Sequence, residues 1–192
     1  MDIREALGKR RLFLDGGTGT SLQKMGLRAG ERPETWNILH PERIESLHRA
    51  YLDAGADIIY TNTFGANRLK YPEGGEFALE EVVRSAVNIA KSAQKACGRE
   101  DSSWVALDIG PSGKLLKPLG DLDFEDAVAL FAEVVSCGAQ AGADLVVIHF
   151  TKCLKLSGRK LQHRSGNNSG RRPNISTAKC VSGCNLGLDV TI

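Results

Sequence analysis

A carboxylate followed by glycines is the first feature of this sequence that could do chemistry. Asp15 stands directly before Gly16 and Gly17 in the segment 14–20, LDGGTGT. The carboxylate could bind an ammonium group, and backbone N–H groups exposed by the glycines could bind a carboxylate. The pattern therefore predicts a site that holds an amino acid by both ends. The alternative is a tight turn in which Asp15 accepts hydrogen bonds from loop amides.

Two further polar segments follow apolar runs in the same way. The segment 61–68, TNTFGANR, contains Thr61 and Thr63, and the segment 108–113, DIGPSG, begins with Asp108. Contact with a ligand is one interpretation of these side chains. The other is structural, because threonine is common in strands, asparagine is common in turns and Asp108 could cap a loop.

Short apolar runs and amphipathic helices must position these residues. The apolar runs are continuous rather than alternating, which is typical of strands buried on both faces of a parallel sheet. They occupy residues 12–14, 58–60, 104–107 and 145–148. Between them we predict a helix starting at Pro41, a helix over 78–97 and a helix capped by Asp123. Residues predicted to face inward on the first two are Ile44, Leu47, Tyr51, Ala54, Leu79, Val82, Val83, Ala86, Ala90 and Ala93.

The chain also repeats one unit. The segments 53–60, DAGADIIY, and 140–147, QAGADLVV, share a helix end, a turn and a strand start. Gly55 and Gly142 are predicted to end their helices with a positive φ, which glycine adopts without strain. Strands that alternate with helices in repeating units predict a parallel α/β fold, either a barrel or a doubly wound sheet.

The position of the polar segments favours the barrel. Each of them follows a strand, as the binding loops of a (β/α) barrel do. The glycines after the first strand lack the G-x-G-x-x-G pattern, and no periodic helix is expected directly after them. A complete barrel needs about 250 residues and eight strands, and the sequence shows four. The prediction is therefore α/β, of the (β/α)8 TIM-barrel type, truncated to about the first four β/α units.

The net charge changes sign near residue 149. Residues 1–148 carry 17 Lys and Arg against 22 Asp and Glu, a net of −5, whereas residues 149–192 carry 8 against 1, a net of +7. The second segment has no clear period outside 186–192, so we expect it to be largely disordered. We divide the chain into a barrel segment, 1–148, and a basic tail, 149–192. We hypothesise that the tail arose from a frameshift, a misassembled gene or a truncation.

Composition excludes some classes of protein. The sequence contains no run of roughly 18 apolar residues and begins without the apolar stretch of a secretory signal. We therefore expect a cytoplasmic protein with no membrane partner, whose five cysteines are free thiols.

Taken together, these segments resemble the homocysteine S-methyltransferase family, and within it the homocysteine-binding module of cobalamin-dependent methionine synthases. The matching segments are LDGGTGT at 14–20, ERPETWN at 31–37, YLDAGADIIYTNTFGAN at 51–67 and DIGPSGKLLKPLG at 108–120. They follow one another in the family's order, and the resemblance runs to Ile148.

The resemblance implies a barrel that binds homocysteine and transfers a methyl group to its thiol to make methionine. In the family, zinc held by three cysteine thiolates lowers the pKa of the substrate thiol. Methylcobalamin is the methyl donor in the most similar relatives, where folate- and cobalamin-binding domains are partners. Substrate-binding roles are implied for Asp15, Gly16, Gly17, Thr61 and Thr63, and no catalytic residue or metal ligand is implied within residues 1–148.

The chain departs from the family pattern after the fourth strand. His149 stands where the family has a glutamate that also holds the substrate amine, so this contact is expected to be lost or weakened. The family's zinc cysteines follow later strands, beyond the matching region. Cys97 and Cys137 are predicted to be small core residues on helices. The tail offers Cys153, His163, Cys180 and Cys184. Because only one close pair occurs among them, we do not favour a zinc site in the tail.

The predicted function is that of a zinc-dependent homocysteine S-methyltransferase, of which this chain is an incomplete and inactive part. The alternative is a basic-tailed nucleic-acid-binding or interaction fragment without catalysis. Eight basic residues could contact phosphates, but the tail has a single aromatic residue, so nucleic acid is not expected as a partner. A half-barrel with open strand edges could instead pair with a complementary half.

Overall fold

The computed structural model of this 192-residue chain describes residues 3–149 and the backbones of 177–179 and 188–191. The helices are α1 (Ile3–Ala6), α2 (Thr18–Lys24), a 3-10 turn (Pro33–Thr35), α3 (Trp36–Leu39), α4 (Pro41–Asp53), α5 (Leu79–Ala96) and α6 (Phe124–Gln140). The strands are β1 (Ile58–Tyr60), β2 (Trp104–Ile109), β3 (Leu145–His149), β4 (Thr177–Lys179) and β5 (Leu188–Thr191).

Strands β1, β2 and β3 are parallel neighbours joined by α5 and α6, which confirms the predicted parallel α/β arrangement. Ile58 lies opposite Trp104, and Ala106 lies opposite Leu145. The predicted strand 12–14 contributes one isolated bridge, from Leu14 to Ile58. Its carbonyl at Phe13 accepts hydrogen bonds from the N–H groups of residues 57 and 58. The first apolar run therefore lies beside β1, where the prediction placed it, although its pairing is shorter.

The described strands after His149 add antiparallel neighbours to the sheet, beside β3. β5 runs antiparallel to β3, and β4 runs antiparallel to β5, giving the order β1-β2-β3-β5-β4. β5 falls within 186–192, the one stretch excepted from the expected disorder. The disorder expected of the tail is not tested at residues 150–176, 180–187 and 192, which lie outside the described residues. Pairing with β5 satisfies backbone groups along the edge of β3.

The long helices bury apolar stripes against the sheet. All six residues predicted to face inward on α5 are buried. On α4 the prediction for Ala54 is wrong, because the helix ends at Asp53 and the 3.6-residue period no longer applies to the next position. Ala54 is exposed, and Leu52 is buried instead. No helix in the described part of the chain has the length and apolar character needed to cross a membrane.

The turns after the helices match the sequence, and a short helix follows the first glycines. Gly55 and Gly142 have φ of +98° and +94°, as predicted. A helix, α2, begins directly after Gly17 at Thr18, but it is not the periodic helix whose absence the sequence indicated. Its seven residues bury only Leu22, so no apolar period marks it.

Candidate functional site

The polar segments meet at the carboxyl edge of the parallel strands. Asp15 lies beside the end of β1, Asp108 is near the end of β2 and His149 ends β3. Parallel strands present their carboxyl ends on the same side of a sheet, so residues distant in sequence converge there. Contacts between these residues link the three strand ends into one candidate site.

The two carboxylate oxygens of Asp15 differ in their hydrogen bonding. Its Oδ2 accepts a hydrogen bond from the Tyr60 N–H at 2.9 Å. Its Oδ1 is buried and has no hydrogen-bond partner among the described residues. Burial raises the pKa of Asp15 to about 7, against the opposing effect of the Tyr60 N–H, and the nearby Asp108 raises it further. This carboxyl is therefore suited to a cationic ligand, which would satisfy Oδ1 and favour the ionised form.

The two glycines after Asp15 leave donors available. Among the described residues, neither the Gly16 N–H nor the Gly17 N–H donates a hydrogen bond. A Cβ at Gly16 would lie 3.1 Å from the Tyr51 hydroxyl oxygen, and one at Gly17 would lie 2.8 Å from the Thr20 Oγ1. Both positions are therefore close to neighbouring side chains, and a side chain here would crowd the loop.

Thr61 and Thr63 are buried, and their hydroxyls are already used within the protein. The Thr61 Oγ1 accepts a hydrogen bond from the Asp108 N–H at 3.1 Å. The Thr63 hydroxyl donates to the Asp108 carbonyl at 2.7 Å, and the two threonine Oγ1 atoms are 2.7 Å apart. Through these hydrogen bonds the segment after β1 is joined to the end of β2, and the backbone of Asp108 is held in place.

His149 pairs with Asp108 across the strand ends. The His149 Nε2 lies 2.9 Å from the Asp108 Oδ1, a distance typical of an ion pair, although the direction of approach is not that of a well-aligned hydrogen bond. The short distance is sufficient for an ion pair, because charge attraction depends little on direction. Asp108 raises the pKa of His149, which favours the imidazolium. The ring also makes edge contacts with Tyr60 and Phe64, at centroid distances of 5.7 and 5.6 Å.

Sequence reasoning missed the buried polar residues that support the loop after β1. The Asn62 side-chain amide donates to the Asn37 Oδ1 at 2.9 Å and to the Pro33 carbonyl at 2.8 Å. The Asn37 amide donates to the Asn62 carbonyl at 2.9 Å. Glu34 is also buried there, and its carboxylate accepts from the Gly65 N–H at 2.6 Å. The only signal in the sequence was the polar motif at 31–37, whose residue types do not reveal burial.

The described residues do not fit a zinc centre. None of them belongs to a group of three or more His, Cys, Asp or Glu side chains able to hold a metal ion. Cys97, directly after the end of α5, and Cys137 on α6 pack against apolar clusters, as predicted, but they are half-buried rather than in the core. Burial raises the pKa of both thiols, which disfavours the thiolate that zinc requires. The tail candidates, Cys153, His163, Cys180 and Cys184, lie outside the described residues.

Comparisons with known proteins agree with this arrangement. The sequence model of the family described as homocysteine S-methyltransferase matches residues 12–156. A methionine synthase of Mycobacterium leprae is 28% identical over 158 residues, covering 77% of this chain. One of Mycobacterium tuberculosis is 27% identical over 182 residues, covering 86% of this chain. The chain spans 13% and 15% of the lengths of these two relatives.

Solved structures show a similar fold. The homocysteine methyltransferase MmuM from Escherichia coli aligns in its oxidised form with a TM-score of 0.65 and 23% identity. Its metallated form gives a TM-score of 0.64 and 24% identity. The oxidised-form alignment covers 76% of this chain and 56% of that chain, and the metallated-form alignment covers 75% and 55%. Since the family match extends over about three-quarters of the sequence, this chain belongs to the homocysteine S-methyltransferase family.

Proposed function

We propose that this chain is the homocysteine-holding part of a homocysteine S-methyltransferase of the methionine synthase type. The observation that carries the proposal is that the buried Oδ1 of Asp15 and the N–H groups of Gly16 and Gly17, which follow it in the chain, have no hydrogen-bond partner among the described residues. A cation acceptor and two anion donors next to each other match the two ends of an amino acid. Family membership supplies the substrate class.

In this proposal Asp15 receives the ammonium group of homocysteine, and the N–H groups of Gly16 and Gly17 donate to its carboxylate. Thr61 and Thr63 contribute to the site indirectly, because their hydroxyls form hydrogen bonds with the backbone of Asp108. His149 lies against the Asp108 carboxylate, which raises the pKa of the imidazole and favours its protonated form. We therefore expect Asp15 to provide most of the attraction for the ligand's ammonium group.

We further propose that the chain corresponds to about the first four β/α units of a complete barrel, and that methyl transfer needs the remainder. The described residues supply no cluster fit to hold zinc, so no thiol activation is assigned to them. In a complete enzyme, methylcobalamin would be the methyl donor, and folate- and cobalamin-binding domains would be the partners. The chain by itself is expected to bind homocysteine without turning it over.

Calorimetric titration with homocysteine tests the binding. We expect saturable binding by the wild-type chain and a loss of about tenfold or more in affinity in Asp15→Asn, which removes the charge but keeps the shape. Asp121→Asn is the matched control, because this carboxylate is exposed and pairs with Lys114. Equal affinities for the wild type and Asp15→Asn would overturn the proposed role of Asp15.

Metal analysis and a homocysteine-dependent methyl-transfer assay test the second part. The expected result is neither stoichiometric zinc nor formation of methionine when methylcobalamin is supplied. Stoichiometric zinc together with turnover would show that the chain is complete enough for catalysis.

A further inference from the structure

The motif at 31–37 contains a buried carboxylate that the proposed binding scheme does not use. Glu34 lies in the 3-10 turn before α3 and is 5% exposed. Its Oε1 accepts a hydrogen bond from the Gly65 N–H at 2.6 Å, and its Oε2 lies 3.4 Å from the Tyr71 hydroxyl, which donates to it. A buried carboxylate is costly unless it is well bonded, so the two groups that Glu34 bonds define its task.

That task is visible in the peptide bond between Phe64 and Gly65. Its N–H is held by the Glu34 carboxylate, and its C=O accepts a hydrogen bond from the Gly110 N–H at 2.9 Å. Both polar groups of one peptide unit are therefore fixed by residues from other loops. Rotation of this peptide would break both hydrogen bonds together.

Close packing leaves little room for side chains around the same peptide. A Cβ at Gly65 would lie 2.5 Å from the Glu34 Oε1 and 2.8 Å from the Lys70 Nζ. A Cβ at Gly110 would lie 2.5 Å from the Phe64 carbonyl oxygen. Distances below 3.0 Å are not tolerated by real Cβ atoms without movement of the neighbour. Glycine at 65 and 110 is therefore a requirement of the contact with Glu34 and with Phe64.

The Phe64 ring lies next to the fixed peptide. The ring is 48% exposed, lies over Gly110 and makes an edge contact with His149. It stands at the carboxyl edge of the strands, next to the pair formed by His149 and Asp108. A half-exposed aromatic ring at this place can pack against the apolar part of a bound ligand.

We propose that Glu34 is a positioning residue of the candidate site. Its carboxylate holds the Phe64–Gly65 peptide and thereby keeps the Phe64 ring against His149, where the ring forms an apolar wall for the methylene groups of homocysteine. The part that concerns the ligand rests on the proposed function. The part that concerns the loop does not, because it is defined by contacts within the chain.

Nuclear magnetic resonance of the full chain tests the positioning. A carboxylate acceptor at 2.6 Å moves an amide proton downfield, so the Gly65 amide proton is expected at low field in the wild type. In Glu34→Ala it should move upfield, and the His149 ring protons should shift as Phe64 is released. Glu34→Gln keeps an acceptor oxygen and should rescue most of both shifts. Unchanged Gly65 and His149 signals in a folded Glu34→Ala would overturn the proposal.

Two further variants keep the test decisive. Gly65→Ala should reproduce the effect of Glu34→Ala with the carboxylate intact, because the new Cβ displaces Oε1. This variant replaces Glu34→Ala if the latter does not fold, and unchanged His149 signals in it would then contradict the proposal. Glu31→Gln is the matched control, since Glu31 lies in the same motif but accepts from the Arg28 N–H and from the Trp36 indole instead. It should leave the Gly65 and His149 signals unchanged.

Titration with homocysteine separates this proposal from the proposed function. If the wild type binds, Glu34→Ala and Gly65→Ala should bind about tenfold more weakly while Glu34→Gln stays close to the wild type. Equal affinities in all four proteins would exclude a role in binding for the contact between Glu34 and the Gly65 N–H. If the wild type does not bind, the proposed function fails, and the Gly65 and His149 signals still decide whether Glu34 positions the loop.

Discussion

At the scale of single residues, the candidate site contains a buried carboxyl group, that of Asp15, whose charged form burial disfavours. Asp15 has a pKa of about 7 in the folded chain because it is buried, against an ordinary value of 3.8. A carboxyl whose pKa is raised by folding binds more protons in the folded state. It therefore favours the folded state at low pH, and this contribution is lost as the pH rises from about 4 to about 7. An ammonium ligand would stabilise the ionised carboxylate that burial disfavours, so ligand binding is coupled to the ionisation of Asp15.

This coupling predicts a pH dependence of homocysteine binding. With a pKa of about 7, roughly a tenth of Asp15 is ionised at pH 6 and roughly nine-tenths at pH 8, so binding should be about tenfold weaker at pH 6. Calorimetric titration at the two pH values measures the ratio. Asp15→Asn should flatten the profile, and a profile as steep as that of the wild type would assign the dependence to another group.

His48 provides a prediction about stability that does not involve the site. It is 1% exposed on α4, and neither ring nitrogen has a hydrogen-bond partner among the described residues. Burial lowers its pKa to about 4. The unfolded chain takes up this proton near pH 6.5 and the folded chain only near pH 4. The contribution of the neutral, buried His48 to stability is therefore fully present above pH 6.5 and is lost as the pH falls from about 6.5 to about 4, by up to ~3 kcal/mol.

Urea unfolding at pH 5 and pH 7 measures this contribution. His48→Leu should reduce the difference in unfolding free energy between the two pH values. Ile44→Val is the matched control, because it removes a buried methyl group on the same helix at a cost of about 1 kcal/mol at both pH values. An undiminished pH dependence in His48→Leu would show that other groups cause it.

At the scale of elements, the close approach of α6 to the sheet depends on one glycine. A Cβ at Gly138 would lie 2.5 Å from the Leu107 Cδ2, and Leu107 is fully buried in β2. Since β2 carries Asp108 as its next residue, this contact also affects where the site's carboxylate lies. The helix can approach β2 this closely only because position 138 has no side chain.

Gly138→Ala is therefore expected to destabilise the chain despite the higher helix propensity of alanine. Overpacking against Leu107 should cost about 1–3 kcal/mol in the unfolding free energy. Gly19→Ala on α2 is the control, because a Cβ there meets nothing within 4 Å and should stabilise by about 0.5–1 kcal/mol. Thermal unfolding of both variants gives the comparison, and equal shifts in the same direction would contradict the packing argument.

At the scale of the whole molecule, two segments of opposite net charge contribute strands to the same sheet. The net −5 of residues 1–148 and the net +7 of residues 149–192 meet where β5 pairs with β3. The family match runs to residue 156, past the boundary at Ile148 that the sequence suggested. The backbone of 188–191 thus covers an edge of the sheet that carries the family's motifs.

Removal of the tail should expose that edge. A chain ending at His149 would leave the backbone groups of β3 unpaired on one side, and unpaired strand edges promote association. Size-exclusion chromatography with light scattering is expected to show dimers or larger species for the shortened chain. A strictly monomeric shortened chain at the same concentration as the wild type would contradict the covering role of β5.

Much of the framework was predictable from the sequence, because it depends on local patterns. Continuous apolar runs predicted β1, β2 and β3, and the apolar stripe of α5 predicted six of its eight buried residues, missing Val87 and Gln94. The helix after Gly17 could not be predicted, because a seven-residue helix with one buried side chain has no detectable period. Ala54 was misplaced because the end of α4 cannot be located to one residue from periodicity.

The sequence by itself determined the order of the parallel strands β1, β2 and β3 with the helices α4, α5 and α6, the edge at which the polar segments meet and the family to which they point. Only the tertiary structure decided what each polar group does there. The hydroxyls of Thr61 and Thr63 are committed to Asp108, and Glu34 holds the N–H of Gly65, across separations of 31 to 47 residues. Hydrophobic periodicity is a local property of the chain, whereas hydrogen-bond partners are chosen by the packing of distant segments.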